Sequence, residues 1–253
     1  MLLAVDIGNT HIVLGLFDGE ALRRSWRLWS RPGLTSDELR VLLAGLLGDD
    51  ATAVRDGIVG SVVPPLTGEV RRALVELTGV EPIEVAPGVR TGLRIRTDNP
   101  HELGADRILN AVAALERYGG PCIVVDLGTA TTLDVVTAEG EYLGGVIAAG
   151  PEISAAALAE RTARLARVDL KLPPHVIGRN TVDSIRSGLL HGHAAMIEGL
   201  VTRVERELGG RATVVTTGGL GALIGRLLER VDVHDPHLTL HGLRIVHARN
   251  RAR

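Results

Sequence analysis

Lysine is almost missing from this chain. The one lysine, Lys171, lies in Asp169-Leu170-Lys171-Leu172-Pro173, and every other basic side chain except histidine is arginine. A Gly-Lys-Ser/Thr phosphate loop and a strand lysine beside a nucleotide are therefore excluded. The neighbours of Lys171 supply neither the cation nor the apolar pocket that a Schiff-base lysine needs. A single cysteine, Cys122, excludes an intrachain disulfide and a cysteine-rich zinc site and fits a reducing compartment; its setting, Cys122-Ile123-Val124-Val125, reads as a buried strand. With only 2 Trp, 2 Tyr and 1 Phe there is little surface for base stacking, and 28 Lys+Arg against 30 Asp+Glu leave no basic field to attract nucleic acid or an anionic membrane. The basic end, Arg249, Arg251 and Arg253, reads as a solvated tail. No uncharged apolar run approaches the roughly 20 residues that span a bilayer. Met1 to Val5 runs into Asp6 without a basic lead, so it reads as a strand and not a leader. A cytoplasmic protein that binds neither nucleic acid nor membrane is expected.

The chain has 253 residues, 45% of them apolar and 31 of them glycine, enough for one large domain or two modest ones. Periodicity predicts strands at Leu2 to Asp6, His11 to Phe17 and Arg23 to Leu28, then a helix opened by Thr35-Ser36-Asp37-Glu38. A strand at Asp56 to Val63, a helix at Leu66 to Thr78, a strand at Pro82 to Val85 and a helix at His101 to Tyr118 follow. After the breaker Gly119-Gly120-Pro121 the opening repeats, with strands at Ile123 to Asp126, Thr131 to Val136 and Glu141 to Ile147. Helices are expected at Pro151 to Arg164 and at Val182 to Leu208, the latter interrupted near Gly188 or Gly192. A strand at Thr213 to Thr217 leads through Gly218-Gly219-Leu220-Gly221 into a helix reaching Glu229, and Asp235 to Leu243 forms a capped turn into a final helix.

The repeat carries chemistry. Asp6-Ile7-Gly8-Asn9-Thr10 closes the first strand of one half, and Asp126-Leu127-Gly128-Thr129-Ala130-Thr131-Thr132 closes the first strand of the other, 120 residues later. An aspartate at a strand end, a glycine and then hydroxyl or amide side chains supply a carboxylate and backbone amides for a metal-bound phosphate. Either copy alone is equally good hairpin-turn chemistry, but two copies at matching places favour the phosphate reading. Thr216-Thr217-Gly218-Gly219-Leu220-Gly221 lets backbone approach a ring or a phosphate, yet its spacing fails as a dinucleotide fingerprint. In Asp98-Asn99-Pro100-His101-Glu102-Leu103-Gly104-Ala105-Asp106-Arg107 an acid and an arginine open a helix. They can face an anionic substrate, or be a dipole-complementing acid beside a wet arginine; local pattern does not decide. His191-x-His193 and the trio His234, His237 and His241 lack cysteine partners and a His-Glu-x-x-His helix, which argues against zinc. No Gly-x-Ser-x-Gly elbow occurs.

These motifs resemble those of the type III pantothenate kinases, within the acetate kinase, sugar kinase, heat-shock protein 70 and actin superfamily. The two Asp-x-Gly turns resemble the phosphate motifs, Thr217-Gly218-Gly219-Leu220 the adenosine motif, and Asp98-Asn99-Pro100 with Gly104-Ala105-Asp106-Arg107 the pantothenate signature. Gly60-Ser61-Val62-Val63-Pro64-Pro65 and Asp235-Pro236-x-Leu238-Thr239-Leu240-x-Gly242-Leu243 match as well. The resemblance implies an α/β fold of two duplicated RNase H-like (actin-like ATPase) halves, with mixed sheets flanked by helices, divided here as 1–118 and 119–253. It implies ATP-dependent phosphorylation of pantothenate, the first step of coenzyme A biosynthesis, by a homodimer whose active site lies between the halves near the dimer interface. ATP, Mg²⁺ and a monovalent cation, K⁺ or NH₄⁺, are the implied cofactors. Asp106 is the implied base, and Gly104, Ala105, Asp106, Arg107 and Thr181 the implied pantothenate contacts. Asp6, Ile7, Gly8, Asn9, Thr10, His11, Ile12, Val13 and Thr129 are to hold ATP, with Asp6 on Mg²⁺ and Asp126 on the monovalent ion. Thr97 stands where many members have tyrosine. A non-catalytic regulatory relative is the main rival; its mark would be loss of Asp6, Asp106 or Asp126, and all three are present. A kinase or phosphohydrolase with another acceptor is the second, and Gly104 to Arg107 argues against it. Helix Val182 to Leu208 is the expected dimer surface.

Overall fold

A computed structural model describes residues 1–162 and 165–251. The chain forms two compact units, one of Met1–Glu116 with the segment from His237 onward, the other of Arg117–Pro236. In the first unit come β1 (Leu2–Ile7), β2 (His11–Asp18), β3 (Ala21–Trp29), α1 (Ser36–Leu47), β4 (Asp56–Ser61), α2 (Pro64–Thr78) and the short β5 (Ile83–Glu84) and β6 (Arg94–Ile95). Helix α3 (Ala105–Tyr118) leads into the second unit, which holds β7 (Cys122–Leu127), β8 (Ala130–Val136), β9 (Glu141–Ala149), α4 (Pro151–Arg161), α5 (Thr181–Leu208), β10 (Thr213–Thr217), α6 (Gly221–Ile224) and β11 (Val233–His234). Helix α7 (Leu238–Arg251) then returns to the first unit, packing on β1, β2 and β4 with Leu240, Leu243 and Val246 buried. The sequence division at 118/119 leaves this return out.

Strand order is β3-β2-β1-β4-β5 in the first unit and β11-β10-β7-β8-β9 among the strands of the second. Substituting β7 for β1, β8 for β2 and onward makes the two orders the same. In each, three antiparallel strands come first and two parallel ones are added on the far side of the first strand. β1 and β7 are buried on both faces, which explains their continuous apolar runs. Helices α1 and α2 cover one face of the first sheet through Leu39, Leu43, Leu66 and Val70, and α5 covers the second through Leu190, Ile197 and Val201.

Local chemistry sets the helix ends. Thr35 and Glu38 form a reciprocal capping box on α1, Pro64 opens α2, and Asn180 caps α5 by accepting from the Asp183 amide at 2.9 Å. Several expected boundaries move. Helix α5 runs unbroken through Gly188 and Gly192, because its buried face outweighs the roughly 1 kcal/mol that each glycine costs. The segment expected to be helical through Glu229 stops at Ile224 and passes into a 3₁₀ turn at Gly225–Leu227. The helix expected from His101 begins at Ala105, after a separate 3₁₀ turn at Pro100–Glu102. Helix α4 ends at Arg161; Arg164, the expected end, lies outside the described residues. The basic end is only partly the solvated tail expected: Arg249 pairs with Glu116 at 2.8 Å on the body of the unit, while Arg251 pairs with Asp56 and stays exposed. Arg253 lies outside the described residues.

Candidate active site

In the first unit, the turn after β1 is fixed from both sides. Asp6 lies opposite Val13 in the β1–β2 ladder, the Gly8 amide donates to the His11 carbonyl at 2.9 Å, and the Ser30 amide to the Thr10 carbonyl at 2.8 Å. The His11 ring meets Trp29 edge-on at 5.3 Å. Asp6 is part-buried and Asn9 is exposed at the tip. The Val62 amide donates to the Ile7 carbonyl at 3.0 Å, so the end of β4 lies beside this turn. Val62 is also the link to Asp106: a side chain on Gly104 would stand 3.4 Å from Val62 Cγ1 and 2.5 Å from Asp106 Oδ1. The missing Cβ makes the room into which the carboxylate folds back. The structure thus brings the Asp6 turn and the Gly104 to Arg107 segment to the same end of one sheet.

Asp106 sits in the first turn of α3, where its Oδ1 accepts from the Arg107 amide at 2.8 Å. Burial pushes the carboxyl above its ordinary range, and the amide and guanidinium of Arg107 oppose that shift only in part. A carboxylate made more basic in this way is suited to take a proton from an alcohol. Just upstream, Asn99 Nδ2 donates to Glu102 Oε1 at 2.7 Å, which shapes the 3₁₀ turn. The Thr97 hydroxyl oxygen is buried and has no hydrogen-bond partner. A polar atom left in that state in an otherwise satisfied segment calls for an explanation.

In the second unit, Asp126 lies opposite Thr217 where β7 and β10 run parallel, and the Leu220 amide donates to the Leu127 carbonyl at 3.0 Å. Gly218 has φ +89°, a conformation other residues rarely adopt, and a Cβ there would collide with Asp126 Oδ1 and stand 2.6 Å from the Leu127 carbonyl oxygen. The second Asp-x-Gly turn and the glycine-rich loop therefore form one group, with a carboxylate and a carbonyl oxygen facing the space a side chain would fill. Thr129 is exposed at the tip of this turn. Behind it the Thr131 hydroxyl, wholly buried, pairs with His193 Nε2 of α5 at 2.8 Å. Burial holds His193 below the usual histidine range. Thr181, the first residue of α5, stands exposed on a different element beside its cap Asn180.

His193, half of the His191-x-His193 pair whose surroundings argue against zinc, serves as a hydrogen-bond partner in the core. His234 Nδ1 likewise meets Thr216 Oγ1 at 3.1 Å. Among the described residues no three His, Cys, Asp or Glu side chains gather as a metal cage.

The family model for type III pantothenate kinase matches residues 2–203. A type III pantothenate kinase of Moorella thermoacetica is 49% identical over 99% of this chain and 100% of its own length, and one of Streptomyces avermitilis is 49% identical over 100% of both. Among solved structures, a Campylobacter jejuni protein assigned as a candidate Baf family transcriptional activator aligns with TM-score 0.62 at 19% identity, over 99% of this chain and 100% of that one. A ROK hexokinase of Thermus thermophilus aligns with TM-score 0.52 at 14% identity over 97% of both. At such identities the structures show a shared fold, that of duplicated RNase H-like halves, and nothing of activity. The matched model and the full-length relatives go further: this chain belongs to the type III pantothenate kinase family.

Proposed function

We propose that this protein transfers the γ-phosphoryl group of ATP to pantothenate, giving 4'-phosphopantothenate, the first step of coenzyme A biosynthesis. The observation that carries the reading is Asp106, part-buried, raised in pKa and folded against Gly104 inside the family's acceptor signature. Phosphoryl transfer passes through a loose transition state, so catalysis rests on positioning and charge stabilisation, with a base for the hydroxyl proton. Asp106 takes that proton. Gly104, Ala105 and Arg107 line the acceptor, Thr181 touches it, and the orphan Thr97 hydroxyl offers it a hydrogen bond where a tyrosine is usual. Asp6 to Val13 hold the ATP phosphates with Thr129, their amides and hydroxyls replacing the missing lysine.

The donors present fit hard cations: the Asp126 carboxylate and the Leu127 carbonyl face the space left by Gly218, and both are oxygen ligands. Asp126 would hold K⁺ or NH₄⁺, and Asp6 would hold Mg²⁺ with ATP. When bound, these ions offset phosphate charge.

A homodimer is part of this reading. Helix α5 spends Ile185, Leu189, Leu190 and Ile197 on its own unit. Among the described residues, the exposed apolar side chains include Ile147 on β9, Ile153 and Leu158 on α4, Val176 and Ile177 ahead of α5, and Val182 in its first turn. A second copy covering these residues removes the largest cost of exposing them. A cytoplasmic setting is the reading that suits a chain whose one cysteine, Cys122, is a free, buried thiol. No helix among the described residues is long and apolar enough to cross a membrane.

ADP release from MgATP, measured with and without pantothenate and in K⁺ against Na⁺ buffer, tests the reaction. Pantothenate-dependent release favoured by K⁺ is expected; release without pantothenate, or only with another alcohol, would overturn the assignment.

A further inference from the structure

The last turn of α7 is tied to the acceptor segment from more than 150 residues away. The Asn250 side chain closes a two-way bridge with the backbone of Arg90: its Oδ1 accepts from the Arg90 amide at 3.0 Å and its Nδ2 donates to the Arg90 carbonyl at 2.9 Å. The same Nδ2 donates to the Val246 carbonyl of α7 at 2.7 Å, so this amide is fully engaged. Next to it, Arg249 Nη1 donates to the Thr91 carbonyl, and Nη2 pairs with Glu116 of α3 at 2.8 Å. Gly92 follows with φ +78°, and a Cβ there would lie 2.5 Å from Arg249 Nη1; the guanidinium occupies the place of a side chain. Thr91 also braces the chain locally, its Oγ1 accepting from the Leu93 amide at 3.3 Å.

The stretch held in this way has little structure of its own. Between β5 and α3 the only regular pieces are the two-residue β6 and one 3₁₀ turn. Yet Thr97, Asp98, Gly104 and Asp106 all lie on it or immediately after it. One end is fixed at residues 90–92 and the other through Glu116 on the helix that carries Asp106, and both anchors meet at Arg249.

We propose that Arg249 and Asn250 are positioning residues for the acceptor: the final turn of α7 clamps the 90–106 segment and sets the geometry in which pantothenate meets Asp106. The inference rests on the pantothenate reading above. The clamp touches neither Asp-x-Gly turn, so its loss acts on acceptor binding and leaves MgATP binding alone.

The test uses Arg249→Met, which keeps the side-chain stem, together with Asn250→Ala and the conservative Arg249→Lys. In Arg249→Met and Asn250→Ala the KM for pantothenate rises about tenfold, the size expected for losing one or two such hydrogen bonds, while KM for MgATP holds. Arg249→Lys, able to keep one of the two contacts, falls between. Hydrogen exchange, followed by mass spectrometry, quickens in peptides covering 90–104 and nowhere else. Unchanged KM values with a lowered melting temperature, or equal rises for both substrates, would overturn the clamp and leave an ordinary structural contact. If the wild-type protein does not turn over pantothenate, the substrate reading fails by itself. The exchange comparison then decides the clamp: faster exchange confined to 90–104 upholds it, and unchanged or chain-wide exchange refutes it.

Discussion

The two hairpins that open the two units share a topology and differ inside. β1–β2 and β7–β8 have the same strand order around them, and β1 and β7 have the same pattern of burial. The second turn is one residue shorter, so the correspondence of 120 residues in the first strands becomes 119 beyond it: the bulge at Leu16/Phe17 matches that at Val135/Val136. With that offset Ile12 corresponds to Thr131, and Gly15 to Asp134. In the first unit these positions are apolar, Ile12 in the core and Gly15 against Leu240, Leu22 and Phe17. In the second they carry buried hydrogen bonds, Thr131 with His193, and Asp134 with the Tyr142 hydroxyl and with Thr132 Oγ1 at 3.1 Å. Duplication conserves what the backbone needs, a strand end and a tight turn. It does not conserve the chemistry behind the turn, which need only be dense and satisfied. In the first unit a further ionisable group, beyond Asp6 and His11 of the hairpin, comes to this end of the sheet: Asp106, placed there by a helix.

The largest effect separating the units is expected at Asp106. Asp106→Asn should lower kcat by roughly 10²- to 10⁴-fold, the range for removing a general base, in a protein that keeps its fold. The raised carboxyl gives the sign of two further effects. Activity falls as pH drops through that raised pKa, because the base is then protonated. The native state also binds this proton more tightly than the unfolded chain does, so the contribution of Asp106 to stability is largest at low pH and is lost as pH rises. Asp106→Asn should therefore melt no lower than wild type at neutral pH, and higher if burial of the charge dominates; thermal scans at several pH values check this.

Next come the polar contacts of the second hairpin. Tyr142→Phe removes a donor to a buried carboxylate and should cost about 2–3 kcal/mol in urea unfolding. Thr131→Val leaves His193 facing a methyl group and should cost about 1–2 kcal/mol. Burial alone holds His193 below its usual range, so its neutral form supports the fold above that range and the support is lost as pH falls through the lowered value, with or without Thr131. The smallest change is at the matching apolar site: Ile12→Val should cost about 1 kcal/mol, with no dependence on pH. Equal costs at residues 12 and 131 would erase the contrast between the units.

Much of this architecture was legible in the sequence. The two Asp-x-Gly turns, the three strands that open each half and the Thr35 capping box are local patterns, and local patterns were enough to find them. The features missed depend on partners far along the chain. Arg249 and Arg251 carry no nearby sign that they pair with Glu116 and Asp56, and β6 and β11 are too short to show a period. Gly218 was visible as part of a glycine-rich loop, but its closeness to Asp126 arises from β10 lying beside β7. The helix expected to reach Glu229 ended early: it tightens into a 3₁₀ turn at Gly225–Leu227 and the chain becomes extended at Leu228, a choice that helical periodicity does not reveal.

The most direct test of the account is one assay, pantothenate-dependent ADP release in K⁺ buffer by wild type and Asp106→Asn side by side. Turnover is expected in the wild type, with near-complete loss in a variant that binds MgATP normally and melts no lower. Wild-type rates in the variant, or ADP release that ignores pantothenate in both proteins, would contradict it.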